Sequence, residues 1–208
     1  MPRISAIILA GGKSRRLSMD KALLELNGEW LLEQIINTLA TLSDDVLVVA
    51  NEKEEFARLT ARIVPDAYPG MGPLGGIYSG LRAMRYGHGL VVACDMPLLN
   101  LHLLRYMIQL SKHFDVVIPR IGDKTEPLHA VYSKACVRPI EDLLRRAKLR
   151  IIGFLPQVRA RYVEQDEINA FDPEHLSFFN INTQDELELA QQLSRQRAAD
   201  WKKGDSVL

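Results

Sequence analysis

Short runs of β-branched residues alternate with longer amphipathic segments along most of the chain. Strands that alternate with helices form a largely parallel sheet, because each crossover helix returns the chain to the same edge of the sheet. The predicted fold is therefore α/β, a three-layer α/β/α arrangement with a Rossmann-like, mainly parallel sheet. Predicted strands cover 4–10, 45–51, 61–66, 89–95, 114–120 and 128–133. Predicted helices cover 30–42, 74–87, 100–113, 134–147 and 183–196.

The length and composition fit one folded domain. A chain of 208 residues is long enough for one sizeable core, and 47% apolar with 25% charged residues is typical of globular proteins. No linker or low-complexity segment divides it, so we expect one domain over residues 1–196 and a frayed C-terminal tail over 197–208. The last helix is expected to begin with a capping box formed by Thr183 and Glu186.

The charges of the chain balance, with 26 Lys and Arg against 26 Asp and Glu. Without a net field, we expect neither nucleic acid nor an anionic membrane as a partner. The apolar run before Gly11 is too short for a signal or a membrane helix, so no targeting or transmembrane segment is expected. Cys94 and Cys136 lack metal-binding spacing and are expected to be reduced thiols, which favours a cytoplasmic protein.

The first predicted strand ends in a loop suited to phosphate. Gly11 and Gly12 lack side chains, so their backbone amides are open to an anion. Cations follow at Lys13, Arg15, Arg16 and Lys21. A triphosphate fits this loop, although an isolated Gly–Gly–Lys stretch is more often a surface turn. The loop lacks both GxxxxGK[ST] and GxGxxG spacing, which argues against a P-loop protein or a dehydrogenase.

Two other predicted strands end in a carboxylate, and ligands bind beyond the carboxyl ends of strands in open α/β sheets. Asp95 ends the run "LVVACD" and suits Mg²⁺, with a helix N-cap or a turn as the alternative. Asp66 precedes a glycine-rich entry into a helix. Those glycines, Gly70, Gly72, Gly75 and Gly76, are expected to let backbone approach a flat base or ribose, with a flexible surface loop as the alternative.

Other polar features have structural interpretations. His129 lies in a predicted strand, where we expect a backbone partner for its ring rather than an acid–base role. The basic segments "RRAKLR" (145–150) and "VRARY" (158–162) are expected to be charged helix surface, with contact to a substrate phosphate as the alternative.

The segment "LAGGKSRRLSMDKALLELNG" resembles the LAGGxSxRMGxDKxLLxLxG signature of the molybdenum cofactor guanylyltransferases, within the nucleotide-diphosphosugar-type nucleotidyltransferases. "GPLGGIYSGL", "VACDMPLL" and "NINTQDEL" follow in that family's order, so the likeness covers about Ile4 to Leu189. It implies the nucleotide-diphospho-sugar transferase fold and transfer of GMP from GTP to the terminal phosphate of molybdopterin, with release of pyrophosphate. It also implies Mg²⁺ as cofactor and transient contacts with pterin-supplying and apoenzyme-chaperone proteins.

The resemblance implies roles for the matching residues. Arg16, Lys21 and Asp95 would be catalytic, with Asp95 holding Mg²⁺ and the two cations on the phosphates. Asn180 and Asn182 match a pair near the metal and phosphates, although asparagines at such a place more often serve a turn. The GTP site would be lined by Leu9, Ala10, Gly11, Gly12, Lys21 and Asp66, with Asp66 near the base or ribose.

The signature loop also bears on specificity. Gly12 matches the guanylyl reading LAGG, whereas related cytidylyl enzymes read LAAG, so we expect GTP rather than CTP. Leu17 and Ser18 replace the usual Met and Gly. The serine is expected to order the loop around Arg16 differently, because glycine adopts positive φ more readily. Two alternatives stay open: a related cytidylyl- or sugar-phosphate nucleotidyltransferase, and a non-catalytic GTP-binding protein in cofactor delivery.

Overall fold

The computed structural model describes residues 2–10, 24–51 and 54–204, which form a central sheet between two layers of helices. The strands are β1 (Ser5–Leu9), β2 (Glu25–Leu26), β3 (Glu29–Trp30), β4 (Val46–Val49), β5 (Arg62–Val64), β6 (His88–Ala93), β7 (Val116–Ile121), β8 (Lys124–Thr125), β9 (His129–Ser133) and β10 (Ala160–Glu164). The α-helices are α1 (Leu31–Ala40), α2 (Gly72–Ala83), α3 (Leu101–Leu110), α4 (Val137–Arg145), α5 (Gln165–Asn169) and α6 (Gln184–Gly204). Short 3-10 helices cover Glu54–Arg58, Lys134–Cys136, Ile151–Gln157 and Leu176–Phe178.

The main sheet has the strand order β10-β7-β9-β6-β1-β4-β5, with β8 paired to β7. Strands β6, β1, β4 and β5 are parallel, as are β7 and β10. Strand β9 is antiparallel to both of its neighbours, β6 and β7. The chain reverses there because β7 leads into β8 and β9 through a turn at Gly122, where φ is +55°, instead of through a helix. The predicted, mainly parallel sheet is confirmed.

Side chains of β1 alternate between two halves of the core. Ala6 and Ile8 pack with residues of α1, α3 and α6 on one face of the sheet. Ile7 and Leu9 pack with α2 and α4 on the other. This period of two, with both faces buried, is what a central strand of a covered sheet requires. The predicted three-layer arrangement is therefore confirmed.

All six predicted strands and five predicted helices have counterparts, but several elements were not predicted from the sequence. The prediction of charged helix surface is wrong for 158–162, because β10 begins at Ala160 and pairs in parallel with β7. In the segment 145–150, Arg145 lies in α4 and the rest follows it. The hairpin of β2 and β3, strand β8 and helix α5 were also missed, since each spans five residues or fewer and shows little periodicity.

The capping box at the start of α6 is confirmed. The Glu186 backbone amide donates to Thr183 Oγ1 at 3.3 Å, and the Thr183 amide donates to Glu186 Oε2 at 2.9 Å. Cys94 and Cys136 are buried, and neither lies in a disulfide among the described residues. Helix α6 extends to Gly204, while the domain limits and the frayed tail stay predictions. Among the described residues, no helix has the length and apolar character needed to cross a bilayer.

Candidate active site at the carboxyl edge of the sheet

Backbone hydrogen bonds bring the ends of β1 and β6 together. The Cys94 amide donates to the Leu9 carbonyl at 3.1 Å, and the Ala10 amide donates to the Val49 carbonyl at 3.0 Å. Leu9 and Ala10 are almost fully buried, so their side chains belong to the core and their backbone forms the edge. The predicted backbone role of these two residues fits this position, and Asp95 follows immediately after Cys94 at the same edge.

Asp66 lies beyond β5 and is held by its neighbours. Its Oδ1 accepts hydrogen bonds from the Tyr68 amide at 3.0 Å and from Ser79 Oγ at 3.1 Å. Ser79 Oγ also accepts from the Ala67 amide at 2.9 Å and contacts the Gly75 carbonyl at 2.8 Å. The serine hydroxyl therefore joins the loop that carries Asp66 to helix α2. Sequence reasoning missed Ser79, because a serine inside a helix carries no motif of its own.

Two glycines of α2, Gly75 and Gly76, pack closely against other parts of the protein. A Cβ on Gly75 would lie 2.9 Å from the Tyr68 carbonyl oxygen, and one on Gly76 would lie 3.2 Å from Leu9 Cδ2. Gly70 and Gly72 have φ values of +81° and +65°, and a Cβ on either would meet no atom within 4 Å, so they permit the turn into the helix. Gly75 and Gly76 therefore lie close to the loop and to β1, and the expected approach of a flat ligand to this backbone stays a prediction.

A backbone hydrogen bond brings the segment with the two asparagines next to Asp95. The Ile181 amide donates to the Asp95 carbonyl at 2.9 Å, and Ile181 is completely buried between Asn180 and Asn182. Asn180 Nδ2 donates to the Phe178 carbonyl at 2.9 Å, and the Asn182 amide donates to Glu186 Oε2 at 2.7 Å. Residues more than 80 positions apart in sequence therefore meet at one edge of the sheet. The bond of Asn180 to Phe178, two residues earlier, is local and typical of an asparagine in a turn.

His129 departs from expectation. Its ring is fully buried at the start of β9, and among the described residues neither ring nitrogen has a hydrogen-bond partner. The expected backbone partner is therefore wrong, since the ring packs against Phe178 instead, with centroids 4.9 Å apart. Burial lowers the pKa of His129 to about 4, while Asp172 acts weakly in the opposite direction. The imidazole is neutral at pH 7, which suits packing and not proton transfer.

The loop between β8 and β9 lies at the same edge. The Leu128 carbonyl accepts from the Ala93 amide at 3.1 Å, at the end of β6. Two residues earlier, Glu126 is half-buried, and burial raises the pKa of its carboxyl against the weaker effect of Lys124. Because β9 runs against β6, its first residues approach the strand end that leads to Asp95. The loop thus carries a further carboxylate, in addition to Asp66 and Asp95, near this edge of the sheet.

Several predicted site residues lie outside the described residues. They are Gly11, Gly12, Arg16 and Lys21, together with the further loop residues Lys13, Arg15, Leu17 and Ser18. Their predicted roles stay predictions. The structure brings together Leu9, Ala10, Asp95, Asn180 and Asn182 through the backbone bonds above, with Asp66 beyond β5 and tied to α2, which packs on Leu9.

The strand order, the glycine-rich start of α2 and the carboxylate after β6 define an α/β protein of the nucleotidyltransferase class. Residues 6–158 match the MobA-like NTP transferase domain, and the chain belongs to this family. The chain is similar to a probable molybdenum cofactor guanylyltransferase from Pelotomaculum thermopropionicum, with 41% identity over 90% of this chain and 91% of that one.

Two solved structures share the fold. Molybdopterin-guanine dinucleotide biosynthesis protein A from Archaeoglobus fulgidus aligns with a TM-score of 0.81 and 27% identity, covering 93% of this chain and 100% of that one. The 2-C-methyl-D-erythritol 4-phosphate cytidylyltransferase from Thermus thermophilus aligns with a TM-score of 0.66 and 18% identity, covering 93% and 100%. The second likeness concerns the fold alone. The nucleotide-diphospho-sugar transferase fold expected from the sequence is confirmed.

Proposed function

We propose that this protein transfers GMP from GTP to the terminal phosphate of molybdopterin, releasing pyrophosphate and forming a guanine dinucleotide cofactor. The observation that carries the proposal is the hydrogen bond of 2.9 Å from the Ile181 amide to the Asp95 carbonyl. It brings a carboxylate and two carboxamides to one edge of the sheet, in a chain that resembles molybdenum cofactor guanylyltransferases over most of its length. The protein is accordingly a transferase of molybdenum cofactor biosynthesis.

Mg²⁺ is the proposed cofactor, and the donor chemistry fits it. Mg²⁺ is usually held by one or two protein carboxylates together with substrate phosphate oxygens. Among residues 2–10, 24–51 and 54–204, no three His, Cys, Asp or Glu side chains cluster into a complete cation cage, so a soft or fully protein-bound metal is not favoured. Asp95 would hold Mg²⁺, which when bound neutralises charge on the phosphates. Asn180 Nδ2 donates to the Phe178 carbonyl, so Oδ1 is the carboxamide atom that would serve as an oxygen ligand.

The chain's own residues would act mainly by positioning. An oxygen of the molybdopterin phosphate forms a bond to the α-phosphorus of GTP, and the bond from that phosphorus to the α–β bridging oxygen breaks. Pyrophosphate leaves with the electron pair of that bond. The attacking phosphate is already anionic, so no general base is required, which agrees with a neutral, buried His129. Arg16, Lys21 and the amides of Gly11 and Gly12 would stabilise charge on the phosphates.

Binding of GTP would use the backbone edge and the held carboxylate. The backbone of Leu9 and Ala10 lies beside β4 and β6, at the sheet edge where the guanine base would bind. Asp66 is kept in place by Tyr68 and Ser79, which suits a carboxylate that accepts hydrogen bonds from a ribose or a guanine edge. Gly12 would favour guanine over cytosine.

We propose a cytoplasmic protein with GTP and molybdopterin as small-molecule substrates. Transient contacts with pterin-supplying and apoenzyme-chaperone proteins would pass the labile pterin on. Neither nucleic acid nor a membrane is a proposed partner, because the 26 positive and 26 negative residues leave no net field.

The test is calorimetric titration with GTP, CTP, ATP and UTP, each with and without Mg²⁺, followed by a pyrophosphate-release assay with molybdopterin. We expect selective GTP binding that depends on Mg²⁺, and loss of turnover with a preserved fold in Asp95→Ala. Asp142→Ala, an exposed carboxylate of α4, is the matched control and should behave as wild type. Near-normal GMP transfer by Asp95→Ala at saturating Mg²⁺ contradicts the metal assignment.

The same experiment separates the two alternatives. Selectivity for CTP would support a cytidylyltransferase, a class to which the Thermus thermophilus protein belongs by name. GTP binding without pyrophosphate release, with acceptor present, would support a non-catalytic delivery protein. Release of pyrophosphate with a sugar phosphate but not with molybdopterin would support a sugar-phosphate nucleotidyltransferase.

A further inference from the structure

His129 is a buried polar side chain that the proposed reaction does not use. It has no exposed surface, and within the described part of the chain neither Nδ1 nor Nε2 has a hydrogen-bond partner. Buried polar atoms without partners destabilise a fold, and such groups are rare in native proteins. Among the described residues, the ring of His129 therefore contributes through packing and not through hydrogen bonds.

The ring of His129 packs against one aromatic side chain of the neighbouring segment. Its centroid lies 4.9 Å from that of Phe178, with the planes at 70°, an edge-to-face arrangement. Phe178 ends the 3-10 helix Leu176–Phe178 and lies two residues before Asn180. Its carbonyl accepts the hydrogen bond from Asn180 Nδ2 at 2.9 Å. The aromatic pair therefore holds the residue whose carbonyl orients Asn180.

The same segment continues to Asp95. The Ile181 amide donates to the Asp95 carbonyl at 2.9 Å. On its other side the 3-10 helix is fixed by Ser177, whose Oγ accepts from the Asn100 amide at 3.0 Å. Ser177 thus ties the segment to the start of α3, while His129 contacts it from β9 of the sheet.

We infer that His129 is a positioning residue, whose ring packs Phe178 against β9 and so keeps Asn180 and Ile181 beside Asp95. The roles of Asn180 and Asp95 at the metal rest on the proposed function, whereas the packing of His129 on Phe178 and the Ile181–Asp95 hydrogen bond do not. The ring acts by its shape, because its nitrogens make no hydrogen bond to the described residues. A flat side chain of similar size should therefore replace it.

The variants separate shape from polarity. His129→Ala removes the ring, His129→Phe keeps a ring without nitrogens, and His129→Leu fills part of the volume without a flat ring. Phe154→Leu is the matched control, because Phe154 is a fully buried ring in the core on the opposite face of the sheet. Should His129→Ala fail to fold, His129→Leu takes its place.

The direct readout is hydrogen exchange of the Ile181 amide, measured by NMR on the full chain. We expect exchange about tenfold faster in His129→Ala and within about twofold of wild type in His129→Phe and Phe154→Leu. Unchanged exchange in His129→Ala overturns the inference. Failure of His129→Phe to restore protection also overturns it, since the nitrogens would then carry the role. Equal acceleration in Phe154→Leu overturns it as well, because the effect would be general loss of stability.

The second readout is the Mg²⁺ dependence of pyrophosphate release. The Mg²⁺ concentration for half-maximal rate should rise about tenfold in His129→Ala, because loss of a residue that orients metal ligands weakens metal binding. In His129→Phe it should stay at the wild-type value. A wild-type value in His129→Ala contradicts the inference. If wild type releases no pyrophosphate, the proposed function fails by itself, and the Ile181 exchange alone still decides the positioning role.

Discussion

Replacement of Ser79 by alanine tests how the carboxylate of Asp66 is held. Ser79 is buried, and its Oγ accepts from the Ala67 amide at 2.9 Å and contacts Asp66 Oδ1 at 3.1 Å and the Gly75 carbonyl at 2.8 Å. The change leaves the Ala67 amide without this acceptor and leaves Asp66 Oδ1 with the Tyr68 amide. The loop that presents Asp66 should loosen as a result.

The expected size follows from these bonds. A buried donor that loses its acceptor costs about 1–3 kcal/mol, but the Ala67 amide is only part-buried, which places the loss near the lower value. Alanine also gains roughly 0.5 kcal/mol of helix propensity over serine inside α2. The net destabilisation is therefore about 0.5 kcal/mol, or a fall in Tm of roughly 1–2 °C for a chain of this size. A loss of about 0.5 kcal/mol in binding corresponds to roughly twofold weaker affinity for GTP.

The assay combines thermal unfolding with calorimetric titration of GTP. Ser111→Ala is the matched control, because Ser111 is equally buried and its Oγ donates to the Ile108 carbonyl at 2.8 Å in α3, without contact to Asp66. The control should lower Tm without changing the Kd for GTP. An unchanged Kd in Ser79→Ala, together with a lowered Tm, refutes the reasoning that Ser79 positions Asp66 for the nucleotide.

Three further outcomes are expected. In Gly75→Ala the new Cβ would lie 2.9 Å from the Tyr68 carbonyl oxygen and would displace the loop that carries Asp66, so GTP affinity should fall by about tenfold. An unchanged Kd by titration would show that the loop can move without affecting GTP binding. Burial tends to raise the pKa of Asp45, yet hydrogen bonds from a serine hydroxyl, a backbone amide and Arg62 outweigh it and lower the pKa. The ionised carboxylate therefore stabilises the fold above the ordinary pKa of about 3.9, and this stabilisation is lost as the pH falls. Asp45→Asn should lower Tm at pH 7 and reduce the loss of stability at acid pH in unfolding curves. The pKa of His129 is lowered to about 4 from about 6.5, so protonation of the unfolded state removes up to about 3 kcal/mol of stability as the pH falls from 6.5 to 4. In denaturant titrations, His129→Phe should abolish this dependence of the unfolding free energy on pH. An equal pH dependence in both proteins contradicts the prediction.

Sequence reasoning located the main elements because each has its own periodicity. β1 and β6 are short apolar runs, and α1 and α3 repeat apolar residues at helical spacing. It missed the reversal of β9, because a buried strand reads the same whether its partner runs parallel or antiparallel. It also misread 158–162, where charged side chains on an edge strand resemble the exposed face of a helix.

The candidate site divides in the same way. Asp66, Asp95, Asn180 and Asn182 were marked by strand ends and by a family signature, and the family is confirmed. The roles of these residues stay predictions, as do those of the loop from Gly11 to Lys21. No sequence motif indicated Ser79, because its role depends on hydrogen bonds to the loop at Asp66 and Ala67 and not on its neighbours in α2.

The sequence by itself determined the fold class and the family, since both depend on local pattern: the alternation of strands and helices, and motifs in a fixed order. The tertiary structure alone decided which residues meet. The Ile181 amide reaches the Asp95 carbonyl because β6 and the segment before α6 end at the same edge of the sheet. For the same reason the buried ring of His129 packs against Phe178, and its nitrogens form no hydrogen bond to the described residues. Contacts between segments so far apart depend on strand order and direction, which the periodicity of a single segment does not encode.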